Sequence, residues 1–381
     1  MPAFHQMGND SENLLAEPDL GRYQGCVLSP VNDDNGKIAG QLARLRERAG
    51  FRTVFDPQLY MPRSNQGFLR EWDYFPKDVD TADLTSVAWW DALNEAIART
   101  VTELKPGAVC SPAVIPKTFP DEYFAQLVRS AAVLRQKLSG TGVTTLQTVV
   151  TSLADLATPG RAMKIASIMS DGETDECFLV FVGDTEPRRE LSEPEELKGA
   201  MKLIAALEAA GQRVLVGFCS SDLVLWKAAG ATSCATGKFF NLRRFTLSRF
   251  MEPSGGGGQL PYFFEESLLA FLRQSDLIRI QQRGLLSAAS TANPFTKTIF
   301  EYFPQGKAWV ALGWRQFMHW FADVEERLRT GTITAEDLIL RADENWGLIQ
   351  QKPQVIMEER ENNGQWVRQW LRSLVEFPDF K

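Results

Sequence analysis

The sequence predicts an α/β protein built as a closed (β/α)8 barrel of the TIM type, with an α-helical C-terminal extension. Short apolar segments alternate with amphipathic segments over residues 25–303, as strand–helix units do. Strands that are apolar throughout and are each followed by a helix indicate a parallel sheet covered on both faces. Eight such segments match the strand number of the barrel. A doubly wound open sheet is the alternative because the last two segments are weak, although no strand-to-helix junction carries GxGxxG.

The predicted elements alternate along the chain. The strands are residues 25–31, 52–57, 108–115, 145–152, 177–183, 213–220, 232–237 and 276–281. The helices between them are residues 36–50, 86–107, 121–138, 193–212 and 263–276. These helices place apolar residues at i, i+3, i+4 and i+7, and two of them end at Gly, a common helix C-cap.

The two ends of the chain lie outside the alternating region. Residues 1–24 are predicted to be a flexible tail; they lack the basic and apolar regions of a signal peptide. No run of about 18 apolar residues occurs, so we expect a cytoplasmic protein. Residues 304–381 are predicted to be a Trp-rich helical extension, whose tryptophans either pack against the barrel or dock a protein partner or second copy. They are Trp309, Trp314, Trp320, Trp346, Trp366 and Trp370.

Composition limits the chemistry. A formal net charge of −7 argues against general nucleic-acid binding, so an anion-binding surface would have to be local. The five cysteines form no CxxC pair, and the two histidines are His5 and His319. A His-rich metal centre and a Ser-His-Asp system are therefore not expected, and we expect neither metal nor cofactor. A general acid or base should be a carboxylate, Lys, Tyr or Cys.

Candidate site residues follow from the barrel, whose active sites lie at the C-terminal ends of the strands. Asp56 lies at the end of the predicted strand 52–57 and Asp184 directly follows the predicted strand 177–183, and we expect them to be catalytic as nucleophile or general base. Either could instead cap a turn. The predicted substrate-binding residues are Gln58, Ser111, Ser220, Asp222, Thr236, Gly237 and Lys238. For Asp222, the sequence SSD before a helical segment also favours an N-cap.

Residues 230–259 turn basic and aromatic in an otherwise acidic chain. Thr236, Gly237 and Lys238 end the seventh predicted strand, where barrels commonly hold phosphate. Basic side chains beside aromatic rings favour single-stranded or flipped-out nucleic acid. The predicted nucleic-acid-binding residues are Lys238, Phe239, Phe240, Arg243, Arg244 and Arg249. The alternative is a partly buried segment whose arginines pair with acidic neighbours; the run 254–258 is predicted to be a mobile hinge.

The segment from Asp56 to Ser86 is long and aromatic. Loops of this length inside compact domains are commonly lids or binding loops. Its aromatic residues either stack on a planar ligand or fix the loop to the barrel. They are Tyr60, Phe68, Trp72, Tyr74 and Phe75.

A barrel with strand-end aspartates, no histidine at the expected site and a basic loop resembles the tRNA-guanine transglycosylase-like superfamily. The resemblance implies base exchange through a carboxylate nucleophile without a redox cofactor, with Asp56 or Asp184 in that role. The family's cysteine-rich zinc motif is missing. We therefore expect an enzyme that acts on a nucleotide or nucleic acid at a base or glycosidic bond. The alternative is a non-catalytic barrel subunit that recognises a ligand or nucleic acid within a larger assembly.

Overall fold

Eight parallel strands close into a barrel in the computed structural model, which describes residues 3–251, 259–352, 357–358 and 362–377. The strands are β1 Phe4–Gln6, β2 Gly25–Leu28, β3 Arg52–Phe55, β4 Ala108–Cys110, β5 Thr144–Ser152, β6 Glu176–Val182, β7 Arg213–Val216 and β8 Ser233–Thr236. Each strand pairs with the next, and β1 pairs with β8, with Phe4 opposite Ala235. This closing pair confirms the predicted TIM barrel and excludes the open sheet.

Helices cover the barrel and continue beyond it. They are α1 Glu12–Leu15, α2 Asn35–Leu45, α3 Val87–Leu104, α4 Asp121–Lys137, α5 Leu153–Leu156, α6 Arg161–Ser170, α7 Pro194–Ala209, α8 Leu223–Ala228, α9 Gln274–Gln282, α10 Ala288–Ala292, α11 Thr296–Tyr302, α12 Val310–Arg329, α13 Ala335–Gln350 and α14 Gln365–Glu376. None of the helices in the described ranges combines the length and apolar character needed to cross a bilayer.

The strand count is right, but the identity of two strands differs from prediction. Phe4–Gln6 is the first barrel strand, so the N-terminal residues are not a free tail. This strand has three residues, and His5 and Gln6 gave it no apolar run. The predicted eighth strand, 276–281, lies inside α9, where Leu277 and Ile280 are buried three residues apart on one helical face.

The predicted helix 263–276 is also wrong over most of its length. Two antiparallel strands, β9 Phe263–Glu265 and β10 Ala270–Leu272, form a hairpin there. The buried carboxylate of Glu265 accepts hydrogen bonds from the backbone N–H and hydroxyl of Ser267, which stabilise the turn. Aromatic residues at 263, 264 and 271 suit the paired strands better than a helix.

Ion pairs lie at the N-terminal end of the barrel. Glu176 of β6 forms ion pairs with Arg52 of β3 and Arg213 of β7, so one carboxylate links strands across the interior. Higher in the barrel, the ring of Phe178 lies over Gly217, where a Cβ atom would approach Phe178 Cζ to 2.5 Å. Side chains therefore fill the barrel interior at this level.

The C-terminal helices are part of the same packed structure. α12 packs against β8 and α8, and a buried ion pair between Lys227 and Glu325 at 3.0 Å joins α8 to α12. The indole N–H groups of Trp346 and Trp370 donate to backbone carbonyls of the preceding region, at 3.0 Å and 2.7 Å. Five of the six tryptophans are buried: Trp309, Trp320, Trp346, Trp366 and Trp370. These five tryptophans therefore pack within the chain, and docking of a partner or second copy through the extension stays a prediction.

Candidate functional site

Asp56 directly follows β3 and is buried at the C-terminal end of the barrel. Its two carboxylate oxygens accept hydrogen bonds from the backbone N–H of Gln58 and the hydroxyl of Tyr60, both at 3.0 Å. Burial raises the pKa of Asp56 to about 7, although these two hydrogen bonds and the nearby charge of Arg249 oppose the rise. Asp56 can therefore change its protonation state near neutral pH, which suits a general acid or base.

A hydrogen-bond network surrounds this carboxyl group. The side-chain oxygen of Gln58 accepts from the hydroxyl of Ser29 at 3.1 Å and from the N–H of Val31 at 3.0 Å. Arg249 donates to the Ser29 oxygen at 2.8 Å. Burial lowers the pKa of Arg249 to about 10, so the guanidinium stays charged at neutral pH. We call Asp56, Gln58, Tyr60, Ser29 and Arg249 the Asp56 cluster.

Residues 238–250, here called the covering segment, lie over this cluster. The rings of Phe245 and Phe250 contact Tyr60, with centroids at 5.1 Å and 5.7 Å. The hydroxyl of Ser64 donates to the carbonyl oxygen of Phe250 at 2.7 Å, which ties the segment to the loop after β3. In this conformation Asp56, Gln58, Tyr60 and Ser29 are closed to solvent, and Arg249 is partly exposed.

The two central arginines predicted to bind nucleic acid make internal contacts. Arg243 is 2% exposed, donates to the carbonyls of Gly237 and Lys238 at 2.9 Å, and lies 3.9 Å from the centroid of the Phe317 ring. Arg244 is 6% exposed and pairs with Asp222 at 3.3 Å. The expectation of an exposed basic arm is therefore corrected, and the partly buried alternative holds for Arg244.

The remaining residues of the basic stretch are also held inside the fold. The Lys238 ammonium lies 4.7 Å from the ring centroid of Phe239 and 5.1 Å from that of Trp314. Phe240 packs edge-on against Phe271 at 4.9 Å. The predicted hinge 254–258 lies outside the described residues.

Several predicted substrate-binding residues support the barrel itself. The hydroxyl of Thr236 donates to Cys219 O at 2.6 Å, and Ser111 accepts from Thr148 N at 2.9 Å. A Cβ atom at Gly237 would approach Gln6 O to 2.7 Å, so glycine is required there by packing.

Asp222 lies at the first turn of α8, but its side chain makes no capping hydrogen bond to that helix. Its carboxylate accepts instead from the N–H of Ser220 at 2.8 Å and from Arg244 at 3.3 Å. Burial raises the pKa of Asp222, and Arg244 opposes that rise. Ser220 and Asp222 therefore form a buried acidic turn that fixes the covering segment.

The long loop after β3 is fixed to the barrel. Trp72 donates to Pro30 O at 3.2 Å, Tyr74 donates to Pro57 O at 3.1 Å, and both side chains are buried. Phe75 is buried as well. Of the two interpretations of these aromatics, the structure supports the packing one.

An open cleft of about 690 Å³ lies beside the covered region, along the C-terminal ends of β4, β5 and β6. Asp184, Lys117 and Glu193 are exposed in this cleft, and Glu196 is half-buried there. Burial and the neighbouring carboxylates of Glu193 and Asp184 raise the pKa of Glu196. We call this the strand-end cleft, and three carboxyl groups and one ammonium group line it.

The two predicted catalytic aspartates thus occupy different places. Asp184 faces the strand-end cleft, whereas Asp56 lies beneath the covering segment. Leu247, from the covering segment, lines the cleft and separates the two. The sequence interpretation missed Lys117 and Glu196 because it took only residues next to each strand end. Lys117 lies further along the loop after β4, and Glu196 lies in the first turn of α7. The described residues contain no group of three or more His, Cys, Asp or Glu side chains placed to hold a metal ion.

Comparisons with known proteins identify neither a family nor a curated relative. No family model matches the chain, and no curated sequence matches it. Among solved structures, LpqI of M. tuberculosis is 12% identical with a TM-score of 0.39, covering 85% of this chain and 91% of LpqI. The CutC protein of Streptococcus agalactiae is 14% identical with a TM-score of 0.37, covering 65% of this chain and 100% of CutC.

A third similarity is to the carboxyl transferase domain of Rhizobium etli pyruvate carboxylase, at 10% identity and a TM-score of 0.36, covering 99% of this chain and 61% of that one. These similarities are too distant to assign an activity or a ligand. None of the three is a tRNA-guanine transglycosylase, so that resemblance stays a prediction.

Proposed function

We propose that this chain is an enzyme that binds a small uncharged or cationic substrate in the strand-end cleft and uses the cleft carboxyl groups for acid–base catalysis. The observation that carries the proposal is the convergence of Asp184, Glu193 and Glu196 on an open cleft at the C-terminal barrel face. Among these, burial and two neighbouring carboxylates raise the pKa of Glu196. A carboxyl group whose environment raises its pKa is a candidate general acid.

The charge of the cleft supports an uncharged or cationic substrate over a phosphorylated one. Three carboxyl groups and one ammonium group, that of Lys117, line it. A phosphate adds negative charge to an already acidic site, and one unfavourable charge pair at about 4 Å in water costs about 1 kcal/mol. A nucleoside therefore fits this cleft better than a nucleotide or nucleic acid does.

A narrower form of the proposal keeps the reaction class expected from the sequence. Chemistry at a base or glycosidic bond requires one carboxyl group to protonate the leaving group and a second carboxylate to act as nucleophile or base. Glu196 would supply the proton, and Asp184 would act as the carboxylate. Neither role requires a metal or a redox cofactor.

Two measurements test the proposal with defined probes. The purified chain is incubated with adenosine, guanosine, cytidine and uridine, and the released base is measured by chromatography. Dissociation constants are measured for each nucleoside and its 5′-monophosphate. We expect release of at least one base, and affinity for nucleosides roughly fivefold higher than for the monophosphates, the equivalent of about 1 kcal/mol.

Matched variants identify the acid. Glu196→Gln should lower the rate of base release about 100-fold or more, as the loss of a general acid does. The control is Glu195→Gln, one residue away on α7, whose carboxylate pairs with Lys198 instead of lining the cleft. Equal rates in the two variants would overturn the role of Glu196, and tighter binding of monophosphates would overturn the charge argument.

A second candidate is a non-catalytic barrel that recognises a ligand within a larger assembly. The closed Asp56 cluster favours it, because both carboxylate oxygens of Asp56 are already hydrogen-bonded and covered. It predicts saturable nucleoside binding without product, and binding that Glu196→Gln leaves nearly unchanged. Single-stranded RNA, assayed across a salt series, tests nucleic acid as the ligand: a linear loss of log affinity with log salt would favour it.

A further inference from the structure

The strand-end cleft has two walls of different character. The acidic wall consists of Asp184, Glu193 and Glu196, where the loop after β6 runs into α7. The apolar wall consists of Met61, Ile115 and Phe119, from the loops after β3 and β4, and each of these side chains is partly exposed. Because β5 lies between β4 and β6 in the barrel, the two walls stand on either side of the β5 end. Adjacent strands are about 4.8 Å apart, so the ends of β4 and β6 are separated by about 10 Å.

The acidic wall lacks a counter-charge. None of its three carboxyl groups forms an ion pair with another residue in the described ranges. By contrast, Glu195, on the same stretch of chain, pairs with Lys198 at 2.7 Å. Burial and the like charges of Glu193 and Asp184 raise the pKa of Glu196. A positive charge bound at this wall would therefore be stabilised.

Lys117 does not supply that charge from within the chain. It belongs to the loop after β4, on the side of the apolar wall, and its side chain is exposed. A long lysine side chain keeps its ammonium group in water while its methylene groups lie along apolar surface. The attraction of the acidic wall is thus left for a ligand.

The positive charge that suits both walls belongs to an organic group. No three acidic, His or Cys side chains of the described residues are placed to hold one metal ion. A cleft of about 690 Å³ instead admits a whole small molecule. A positively charged aromatic ring meets both requirements, because it spreads its charge over the ring and has apolar faces. Delocalised cations of this kind are weakly hydrated, so they lose little on leaving water.

We propose that the substrate of the strand-end cleft is a nucleoside whose base is a positively charged aromatic ring, such as an N-alkylated pyridine or purine. The charged ring lies between the two walls, beside the carboxyl groups and against the apolar side chains. This substrate class rests on the function proposed above, because it takes the cleft as the place of glycosidic chemistry. It narrows that function from uncharged or cationic substrates to cationic ones.

A cationic base also simplifies the reaction. Water attacks C1′ of the ribose while the bond from C1′ to the ring nitrogen breaks, and the electron pair of that bond neutralises the charge on the ring. The attacking water gives one proton to Asp184. The base leaves without taking up a proton, so a general acid is needed only for uncharged nucleosides. Positive charge passes to the sugar in the oxocarbenium-like transition state, where the acidic wall stabilises it.

The test compares two forms of one nucleoside. Nicotinamide riboside carries a permanent positive charge on its ring, and its 1,4-dihydro form has nearly the same shape and no charge. Dissociation constants are measured by calorimetry, and released nicotinamide is measured by chromatography. We expect the cationic form to bind about tenfold more tightly or better. The preference should shrink between about 0.1 M and about 1 M sodium chloride, because salt screens the attraction.

Variants of each wall separate charge from apolar contact. Glu193→Gln should weaken the cationic form about fivefold, the worth of one charge pair at about 4 Å in water, and leave the dihydro form unchanged. Glu195→Gln, whose carboxylate pairs with Lys198 outside the cleft, is the matched control. Met61→Ala should weaken both forms alike, because both rings lose the same apolar contact.

The outcomes distinguish this inference from the proposed function. Equal affinity for the two forms, or a preference that Glu193→Gln leaves intact, would overturn the cationic class. Release of a base from adenosine, guanosine, cytidine or uridine alongside that result would reject this class and keep the proposed function. Charge-dependent binding of nicotinamide riboside without release of nicotinamide would support the ligand class and reject the glycosidic reaction.

Discussion

The Asp56 cluster and the strand-end cleft lie side by side on the same barrel face, yet the strand-end carboxylate is buried in the first and exposed in the second. Asp56 is buried, bonded through both oxygens and covered by Phe245 and Phe250. Asp184 is exposed in an open cleft with Glu196. A position at the end of a barrel strand therefore identifies a candidate residue, and the loop above it decides whether a substrate can reach that residue.

The difference originates in the loops. The covering segment carries four phenylalanines and three arginines. Its Phe245 and Phe250 contact Tyr60, and its Arg249 donates to Ser29, so the segment packs onto the loops after β2 and β3. The loop after β6 runs instead into the first turn of α7, where Glu193 and Glu196 border the cleft. Breaking the contacts of the covering segment should therefore affect the Asp56 cluster strongly and the cleft weakly.

The largest effect is expected from Arg244→Ala. Arg244 is buried, pairs with Asp222 at 3.3 Å and lies 3.8 Å from Glu190. Removing the guanidinium leaves two buried carboxyl groups without a counter-charge, which should lower the free energy of unfolding by about 3–5 kcal/mol. Urea denaturation measures it, with Ser248→Ala, an exposed position of the same segment, as the control. A loss below about 1 kcal/mol would mean that this network does not hold the segment.

A pH-dependent effect of intermediate size is expected from Asp56→Asn. The pKa of Asp56 is about 7 in the folded chain, against about 3.9 for an unfolded aspartate, so the folded state binds this proton more strongly. Its contribution to stability is present below about pH 4 and is lost as the pH rises toward 7. The whole loss is at most about 4 kcal/mol.

Urea midpoints at pH 4.5, 5.5, 6.5 and 7.5 check this for the wild type and the variant. We expect Asp56→Asn to gain stability relative to wild type across this range, because it carries no charge to desolvate. Parallel pH profiles would contradict the burial of a titrating Asp56. Asp184→Asn sharpens the contrast: as an exposed site, it should change the free energy of unfolding at pH 7.5 by less than about 0.5 kcal/mol.

The fold was largely predictable because strand–helix alternation is a local signal. The errors occur where that signal is weak. β1 was missed because His5 and Gln6 interrupt its apolar pattern. The spacing of apolar residues over 263–272 is compatible with either a helix or a hairpin. Pairing across a closed barrel supplies the missing information, since β1 is fixed by β2 on one side and β8 on the other. No periodicity within three residues can show this.

The sequence predicted which residues lie near the C-terminal ends of the strands, but not which of them are exposed to a substrate. Basic residues interleaved with phenylalanines have one sequence pattern whether they are exposed or buried. Arg244 is buried because it pairs with Asp222 and Glu190, and both of these partners are distant from it in sequence. Glu196 was missed for a related reason: it belongs to a helix whose first turn meets the cleft, and only the folded loop after β6 brings it beside Asp184.

The smallest effect is expected from Leu247→Ala, at the wall between the two regions. Leu247 is 37% exposed and lines the cleft from the covering segment. Its truncation removes little buried surface, so the free energy of unfolding should change by less than about 0.5 kcal/mol. If the cleft binds a nucleoside, the lost apolar contact should raise the dissociation constant roughly threefold. An unchanged dissociation constant for the nucleoside, together with a lower free energy of unfolding, would mean that Leu247 packs against the Asp56 cluster. The covering segment would then not line the substrate site.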